Sequence, residues 1–393
     1  MSRACPFLRP GLFGAADAPT RLERFLAEHW RRRPLFLPGA LEGLEPPLDG
    51  DELAGLACED GADARIVRRT AGGLELEEGP FTPERFAALG EADWTLLVNA
   101  VDLSIPGFEA LLEAVRFVPD WRLDDVMVSF AAPGGSVGPH LDRYDVFLLQ
   151  AEGRRRWELG PDPAEEHRSL VTRGGLALVD DFEPLRTEHC GPGDGLYVPP
   201  GCVHHGIAES PCLTLSIGFR APSPADLLGD WAVGRLERLS TAPLDLDPPL
   251  PADASRLAPE TVAAARRALR GALLEGLDDP VFVQHLGALL TEPGRGARFE
   301  QPDPLAAAEL AGALAAGGRL ERAPGVRLLL WPEAGTTLVF AGGDCISAPA
   351  DEAALAPLTE LRPLGAGDLP APTLDVAVEL YNRGLFLLTE PEP

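Results

Sequence analysis

The stretch PGGSVGPHLDRYDVFLLQAEGRRRWELG, residues 133–160, carries the chemical pattern that decides how the rest of the chain is interpreted. Within it, His140 and Asp142 stand two residues apart, and in an extended strand that spacing places both side chains on one face. A second imidazole from a later strand would complete a triad of two histidines and one carboxylate, which leaves coordination positions open on a non-heme Fe(II) ion. His204, in YVPPGCVHHG, is the candidate for that imidazole.

The residues around this pattern predict two strands. Tyr144–Gln150 is a largely apolar strand, and Gly153 turns the chain into a second strand at Arg154–Leu159. On the second strand Arg155 and Trp157 share one face. An arginine directed into the mouth of a barrel needs a carboxylate partner, and a ligand can provide one.

Composition limits the possible functions of the chain. Its 393 residues suit two or three domains, and 34 basic against 61 acidic residues give a net charge of −27. The sequence contains no lysine, which excludes a Walker A lysine and a Schiff-base lysine. The acidity argues against direct binding to a nucleic-acid backbone. It favours a basic protein partner, although it also fits a charge that only keeps the protein in solution.

The location of the protein is predicted from what the sequence does not contain. No apolar run reaches the roughly 18 residues of a membrane-spanning helix, and MSRACPFLRPGLFG at the N-terminus is a poor signal peptide. Six cysteines are scattered without a C-x-x-C pair. We therefore expect a reduced, cytoplasmic protein with isolated thiols and no membrane association.

The central part of the chain is predicted to be all-β. Helices such as Thr20–Trp30 and Asp51–Cys58 precede it and are expected to flank it, and between residues 121 and 219 many short strands alternate with turns. This pattern is typical of a cupin-like barrel or jelly roll. Asp124 and Asp125 stand at the start of its first strand, where they form either a solvated strand end or a pocket carboxylate that receives a cationic group.

After Ser223 the pattern becomes helical. A helix is predicted to about Leu239, followed by a Pro-rich connector at 241–255 and by helices Pro259–Leu277 and Pro280–Leu290. Their long apolar faces indicate packing against a second copy of the chain or onto the barrel. From residue 301 onward, helices and a β-hairpin resemble a winged helix whose charge is not basic, so DNA reading is not expected there.

Three segments together resemble one known family. VPDWRLDDVMVSF, PGGSVGPHLDRYDVFLLQAEGRRRW, and LYVPPGCVHHG followed by SIGFRAP are similar to the bacterial JmjC-type ribosomal oxygenases. The resemblance implies an α+β protein with three parts: a double-stranded β-helix (cupin/JmjC) barrel at 1–222, a helical dimerisation region at 223–300 and a winged-helix domain at 301–393. It also implies a homodimer.

The same resemblance implies an activity. Such enzymes are Fe(II)- and 2-oxoglutarate-dependent dioxygenases that use O2 to hydroxylate the β-carbon of one arginine in the basic large-subunit ribosomal protein L-sixteen. The implied site residues are the metal ligands His140, Asp142 and His204, the 2-oxoglutarate-binding Arg155, and the substrate-binding Asp125 and Tyr144.

One position departs from the family pattern. The family often has His-Glu after the Pro-Gly turn, whereas this chain has His204 and His205. Strand alternation allows only one of two neighbours to face the metal, and the family register selects His204. A different possibility is a zinc site formed by Cys202 with His189 or Cys190.

Two other functions remain open at this stage. One is a JmjC hydroxylase of histidine or asparagine in another protein. A carboxylate at Asp125 argues against this function, because a carboxylate suits a cationic target. The other is a cupin-like binding module without turnover. The complete triad together with Arg155 argues against this function.

Overall fold

The computed structural model describes residues 5–161, 170–173, 175–236, 238–242, 244, 258–278, 280–294 and 296–389. The predicted connector at 241–255 lies largely outside these residues. The N-terminal elements are β1 (Leu12–Ala15), α1 (Ala18–Glu28), β2 (Leu35–Leu37), α2 (Gly50–Leu56), β3 (Ala64–Thr70), β4 (Gly73–Glu78), α3 (Pro83–Ala87), β5 (Trp94–Val98) and α4 (Glu109–Ala114).

The central elements are all strands. They are β6 (Leu123–Ala131), β7 (Asp145–Glu152), β8 (Arg155–Leu159), β9 (Leu170–Arg173), β10 (Leu176–Val179), β11 (Arg186–Cys190), β12 (Gly195–Val198), β13 (His204–Ala208) and β14 (Cys212–Phe219).

Helices dominate the C-terminal part. Its elements are α5 (Pro224–Leu236), α6 (Pro259–Leu274), α7 (Pro280–Thr291), α8 (Ala307–Ala315), β15 (Arg319–Arg322), β16 (Leu328–Glu333), β17 (Thr336–Ala341), β18 (Asp344–Ala348), α9 (Glu352–Leu355), α10 (Ala371–Asn382) and β19 (Phe386–Thr389).

The barrel is made of two antiparallel sheets. Eight strands pair in the order β2-β12-β7-β14-β6-β5-β3-β4, and three pair in the order β11-β8-β13. Along β7 the side chains alternate: Phe147 and Leu149 belong to the large core under the N-terminal helices, while Val146 and Leu148 pack with Trp157 of the other sheet. This period of two is the mark of a sheet that is covered on both faces, as in the predicted cupin-like barrel.

A glycine carries the chain from one sheet to the other. Gly153 connects β7 of the large sheet to β8 of the small sheet and has a φ of +65°, in the left-handed region. A Cβ atom at this position would collide with the carbonyl oxygen of Pro211. The turn predicted here is therefore present, but the two strands that it joins do not pair with each other.

The N-terminal region contributes more to the barrel than the sequence predicted. The hairpin β3-β4 was not predicted, and through β5 it extends the large sheet beyond β6. The expectation that the elements of this region only flank the barrel is wrong for its strands, because β5 hydrogen-bonds to β6 and β3 hydrogen-bonds to β5. Helix α2 begins with a capping box that was not predicted: the Asp49 side chain accepts from the amides of Asp51 and Glu52, and the Asp49 amide donates to the Glu52 carboxylate.

The C-terminal module, residues 301–389, has its own apolar core. Helices α8 and α10 pack with the pair β15-β19 and the three-stranded sheet β16-β17-β18. Strand β18 was not predicted, and helix α9 ends at Leu355, after which the chain continues as a 3-10 turn that contains Pro357. Within the described part of the chain, no helix is both long and apolar enough to cross a membrane.

Candidate active site

Three side chains meet inside the barrel as the sequence predicted. The possible ligand atoms of His140, Asp142 and His204 all lie within 4.8 Å of one another. His204 opens β13, whereas the other two lie in the segment between β6 and β7, outside any regular strand. The amide of His140 donates to the carbonyl oxygen of His204 at 3.0 Å and the amide of His204 donates back at 2.9 Å, so one isolated β-bridge replaces the expected strand.

Hydrogen bonds to main-chain carbonyls orient both imidazoles. The Nδ1 atom of His140 lies 3.0 Å from the carbonyl oxygen of Gly138, and that of His204 lies 3.1 Å from the carbonyl oxygen of Cys202. Because a carbonyl only accepts, each Nδ1 carries the proton and each Nε2 presents its lone pair, as metal-binding histidines require. Burial, followed by the neighbouring His140, lowers the pKa of His204 to about 4, which keeps this imidazole neutral.

The neighbouring histidine faces a different group. His205 places Nδ1 at 3.0 Å from the Glu158 carboxylate and does not belong to the cluster around Asp142. The zinc alternative gains no support, since the triad is the one group of three possible ligands that the described residues bring together. His189 pairs instead with Glu209 at 3.0 Å.

Arg155 is a buried cation, and none of the residues that the structure describes places a carboxylate beside it. Its side chain is 4% exposed, and Nη1 donates to the hydroxyls of Ser129 at 3.2 Å and Thr214 at 3.3 Å. Nε has no hydrogen-bond partner, and none of the described residues forms an ion pair with this guanidinium. Burial lowers its pKa, and an unpaired buried charge is costly. The residues therefore fit a ligand that brings its own carboxylate.

One cavity of about 300 Å³ connects this arginine to the triad. Its wall includes Arg155, which is buried, and Tyr144, which is 40% exposed, so it runs from the barrel interior to the surface. A volume of this order is typical of small-molecule sites.

Asp125 and Tyr144 stand together on the cavity wall. One oxygen of Asp125, Oδ2, accepts a hydrogen bond from the Ala100 amide at 2.9 Å. Burial, and then the charges of Asp142 and Asp125, raise the pKa of Tyr144, which keeps its phenol neutral. The preceding residue, Asp124, is exposed on the opposite side of β6, so the solvated strand end and the pocket carboxylate are two different residues.

Sequence reasoning missed part of the wall. Arg65 from β3 and Asn99 just after β5 line the same cavity, and so do Ser129 and Thr214, the hydroxyl partners of Arg155. The hydroxyls could have been found from alternation along β6 and β14, because Ser129 shares a face with Asp125 and Thr214 shares a face with Ser216. Arg65 could not have been found in this way, because the strand that carries it was not predicted.

Comparison with known proteins identifies the class. The JmjC domain model matches residues 110–227, and the AraC-like ligand binding domain model matches residues 185–288. The Escherichia coli protein named ribosomal protein uL16 3-hydroxylase is 37% identical over 83% of this chain and 85% of its own length. A probable ribosomal oxygenase of Haemophilus influenzae is 34% identical over 54% of this chain and 52% of its own length.

Solved structures agree in fold over nearly the whole length. The X-ray structure of E. coli ycfD has a TM-score of 0.81 at 35% identity, and covers 93% of this chain and 97% of that one. The structure of the E. coli ribosomal oxygenase YcfD with cobalt and 2-oxoglutarate has a TM-score of 0.79 at 35% identity, with coverage of 93% and 98%.

The barrel and its triad are thus those of a JmjC oxygenase, the class of Fe(II)- and 2-oxoglutarate-dependent enzymes. Within that class, the chain belongs to the family of ribosomal oxygenases.

Proposed function

We propose that this protein hydroxylates the β-carbon of an arginine in the ribosomal protein uL16, using Fe(II), 2-oxoglutarate and O2. The observation that carries the proposal is the buried Arg155, which has no carboxylate partner among the described residues and lies in the cavity that also contains the His140–Asp142–His204 cluster. The similarity to the relative named ribosomal protein uL16 3-hydroxylase supports the choice of substrate.

The metal ligands in this proposal are His140, Asp142 and His204. The two imidazoles bind through Nε2, because their Nδ1 protons are held by the carbonyls of Gly138 and Cys202. Bound Fe(II) supplies O2 activation coupled to decarboxylation of 2-oxoglutarate. The protein leaves coordination positions open by offering only three ligands from this cluster.

Arg155 binds the distal carboxylate of 2-oxoglutarate. The hydroxyls of Ser129 and Thr214 hold its Nη1, and its guanidinium carbon lies 4.9 Å from the centre of the Trp157 ring. These contacts restrict the guanidinium before the ligand arrives, so less ordering is needed on binding.

Asp125 and Tyr144 hold the substrate arginine near the metal. A carboxylate oxygen that accepts one amide hydrogen still has a second lone pair, so the bond from Ala100 leaves Asp125 able to accept from a guanidinium. The phenol of Tyr144, whose pKa is raised first by burial and then by the nearby carboxylates, stays neutral and can donate or accept beside it. The carboxylate of Asp125 favours arginine over histidine or asparagine, and for this reason we place the arginine hydroxylase ahead of a His/Asn hydroxylase.

The remaining parts of the chain have proposed roles of their own. Residues 1–222 form the oxygenase domain, 223–300 a helical dimerisation region and 301–393 a winged-helix domain. Exposed Leu228, Val233 and Leu236 on α5 support a homodimer, since a monomer would leave them in water. The net charge of −27 suits a basic ribosomal protein as the partner rather than a nucleic acid. Such a substrate and six free cysteines fit a cytoplasmic protein.

The test uses two peptides. The purified chain is incubated with Fe(II) and 2-oxoglutarate, together with either a uL16 peptide that contains the target arginine or the same peptide with lysine in its place. We expect succinate production to be stimulated by the arginine peptide and not by the lysine peptide. Equal stimulation by both peptides would contradict arginine recognition, and a lack of succinate under all conditions would contradict the dioxygenase and favour a binding module.

A further inference from the structure

A buried arginine of the C-terminal module holds the start of strand β6 from outside the barrel. Arg327, just before β16, is 6% exposed. Its Nε donates to the carbonyl oxygen of Leu123 at 2.9 Å and its Nη2 to that of Asp124 at 3.1 Å. Its Nη1 donates to the carbonyl oxygen of Glu292, just after α7, at 2.9 Å. All three guanidinium nitrogens are thus bonded to main chain outside the module.

A second arginine of the same module fixes the residues that lead into β6. The Nη1 atom of Arg322 donates to Oδ2 of Asp120 at 3.2 Å, and its Nη2 donates to the carbonyl oxygen of Thr359. Asp120 also accepts from Arg116, at 2.7 Å and 3.0 Å. Asp120 opens the 3-10 helix that runs directly into β6. The arginines of the module therefore fix the main chain from residue 120 to residue 124.

The next residue on that strand, Asp125, faces the active-site cavity. Its Oδ2 accepts from the Ala100 amide at 2.9 Å, and the following amide, that of Val126, donates to Oδ1 of Asp102 at 2.8 Å. These reciprocal bonds join the start of β6 to the segment 100–102. Ala100 has a φ of +52°, which a residue with a side chain adopts only when its surroundings impose it.

We infer that the C-terminal module positions Asp125 for the substrate, and that Arg327 is the positioning residue through which it acts. The inference rests on the proposed role of Asp125. Successive residues of a strand face opposite sides, so fixing the Leu123 and Asp124 carbonyls outside the cavity fixes the direction of the carboxylate inside it. A displacement of about 1 Å at such a group can cost on the order of a hundredfold in rate.

The test separates substrate binding from cosubstrate binding. We expect Arg327→Ala to raise the KM for the uL16 peptide at least tenfold, while the KM for 2-oxoglutarate changes less than twofold. The reason is that Arg155 lies on β8 and contacts β6 at Ser129, near the end of the strand opposite to Leu123 and Asp124. Arg327→Lys, which can replace some of the donors, should restore part of the loss. Arg383→Ala is the matched control: it removes an arginine of the same module that pairs with Asp344 at 2.7 Å, far from β6 in the fold.

A structural readout accompanies the kinetics. Hydrogen exchange in segments 97–103 and 123–128 should accelerate in Arg327→Ala and stay unchanged in Arg383→Ala. An unchanged peptide KM, or an equal rise in both KM values, would overturn the inference. If Arg327→Ala does not fold, the same measurements are made on Arg327→Lys. An unchanged peptide KM, or an equal rise in both KM values, would again overturn the inference. Asp125→Ala is measured in parallel: if it leaves the peptide KM unchanged, the proposed substrate site itself is wrong, whatever Arg327 does.

Discussion

His140 and His204 exchange a pair of main-chain hydrogen bonds, at 3.0 Å and 2.9 Å, and each also uses Nδ1 on a nearby carbonyl. Main-chain bonds therefore hold the two imidazoles in place before any metal arrives. Since these bonds do not depend on the imidazole of the partner, replacing one ligand should remove metal binding and leave the barrel folded.

His204→Ala tests this arrangement against His205→Ala. We expect His204→Ala to weaken binding of Co(II), a spectroscopic substitute for Fe(II), by at least a hundredfold, because one of three ligands is lost. His205→Ala, which removes a neighbour paired with Glu158, should bind Co(II) within threefold of the native protein. Visible absorption during a Co(II) titration measures both. Weaker binding in the His205 variant alone would reverse the assignment.

Arg155→Ala should raise the KM for 2-oxoglutarate at least tenfold and leave Co(II) affinity unchanged. The physical reason is that a carboxylate loses its charged partner in a buried site, where such a pair is worth more than in water. Arg156→Ala, on the adjacent but outward-facing position, is the control. Steady-state succinate production provides the measurement, and an unaltered 2-oxoglutarate dependence would reassign the role of Arg155.

Asp125→Asn should raise the KM for the arginine peptide more than tenfold with little effect on the KM for 2-oxoglutarate. The amide keeps an acceptor for the Ala100 N–H but loses the charge that a guanidinium requires. Asp60→Asn, which removes an exposed carboxylate outside the cavity wall, should change neither value by more than twofold. Equal effects of the two substitutions would contradict the placement of Asp125 as the substrate carboxylate.

Asp102 predicts a pH dependence of stability. Burial, and to a lesser degree the charge of Asp125, raise the pKa of Asp102 from 3.8 to about 6. The folded state therefore binds this proton more tightly than the unfolded state. The stability that the bound proton contributes is fully present below pH 3.8 and is lost as the pH rises to about 6. Asp102→Asn can still accept from the Val126 amide and should raise the free energy of unfolding at pH 7 by up to about 3 kcal/mol.

Urea unfolding of the metal-free protein between pH 4 and pH 8 measures that difference. The stabilisation of Asp102→Asn relative to the native protein should grow as the pH rises to about 6 and then remain constant. A difference that is independent of pH would indicate that the carboxyl of Asp102 does not titrate differently in the folded and unfolded states.

Short motifs made the centre of the site predictable. Alternation along a strand correctly grouped Arg155 with Trp157, and the spacing of His140 and Asp142 correctly indicated a shared direction, although a single β-bridge rather than a strand provides it. The hairpin β3-β4 was missed although Leu74 and Leu76 alternate with Glu75 and Glu77 in β4, because this alternation is short and lies among charged residues typical of a solvated segment. Contacts such as that of Arg327 with β6 depend on how two distant parts pack, which no local pattern encodes.

Mass spectrometry of the uL16 peptide, after incubation with the protein, Fe(II), 2-oxoglutarate and O2, tests the proposed hydroxylation of arginine. We expect one added oxygen atom, assigned by fragmentation to the β-carbon of the arginine. We expect no added oxygen when the Asp142→Ala variant replaces the native protein. An unmodified peptide despite succinate production, or oxygen added to a residue other than arginine, would contradict the proposed hydroxylation.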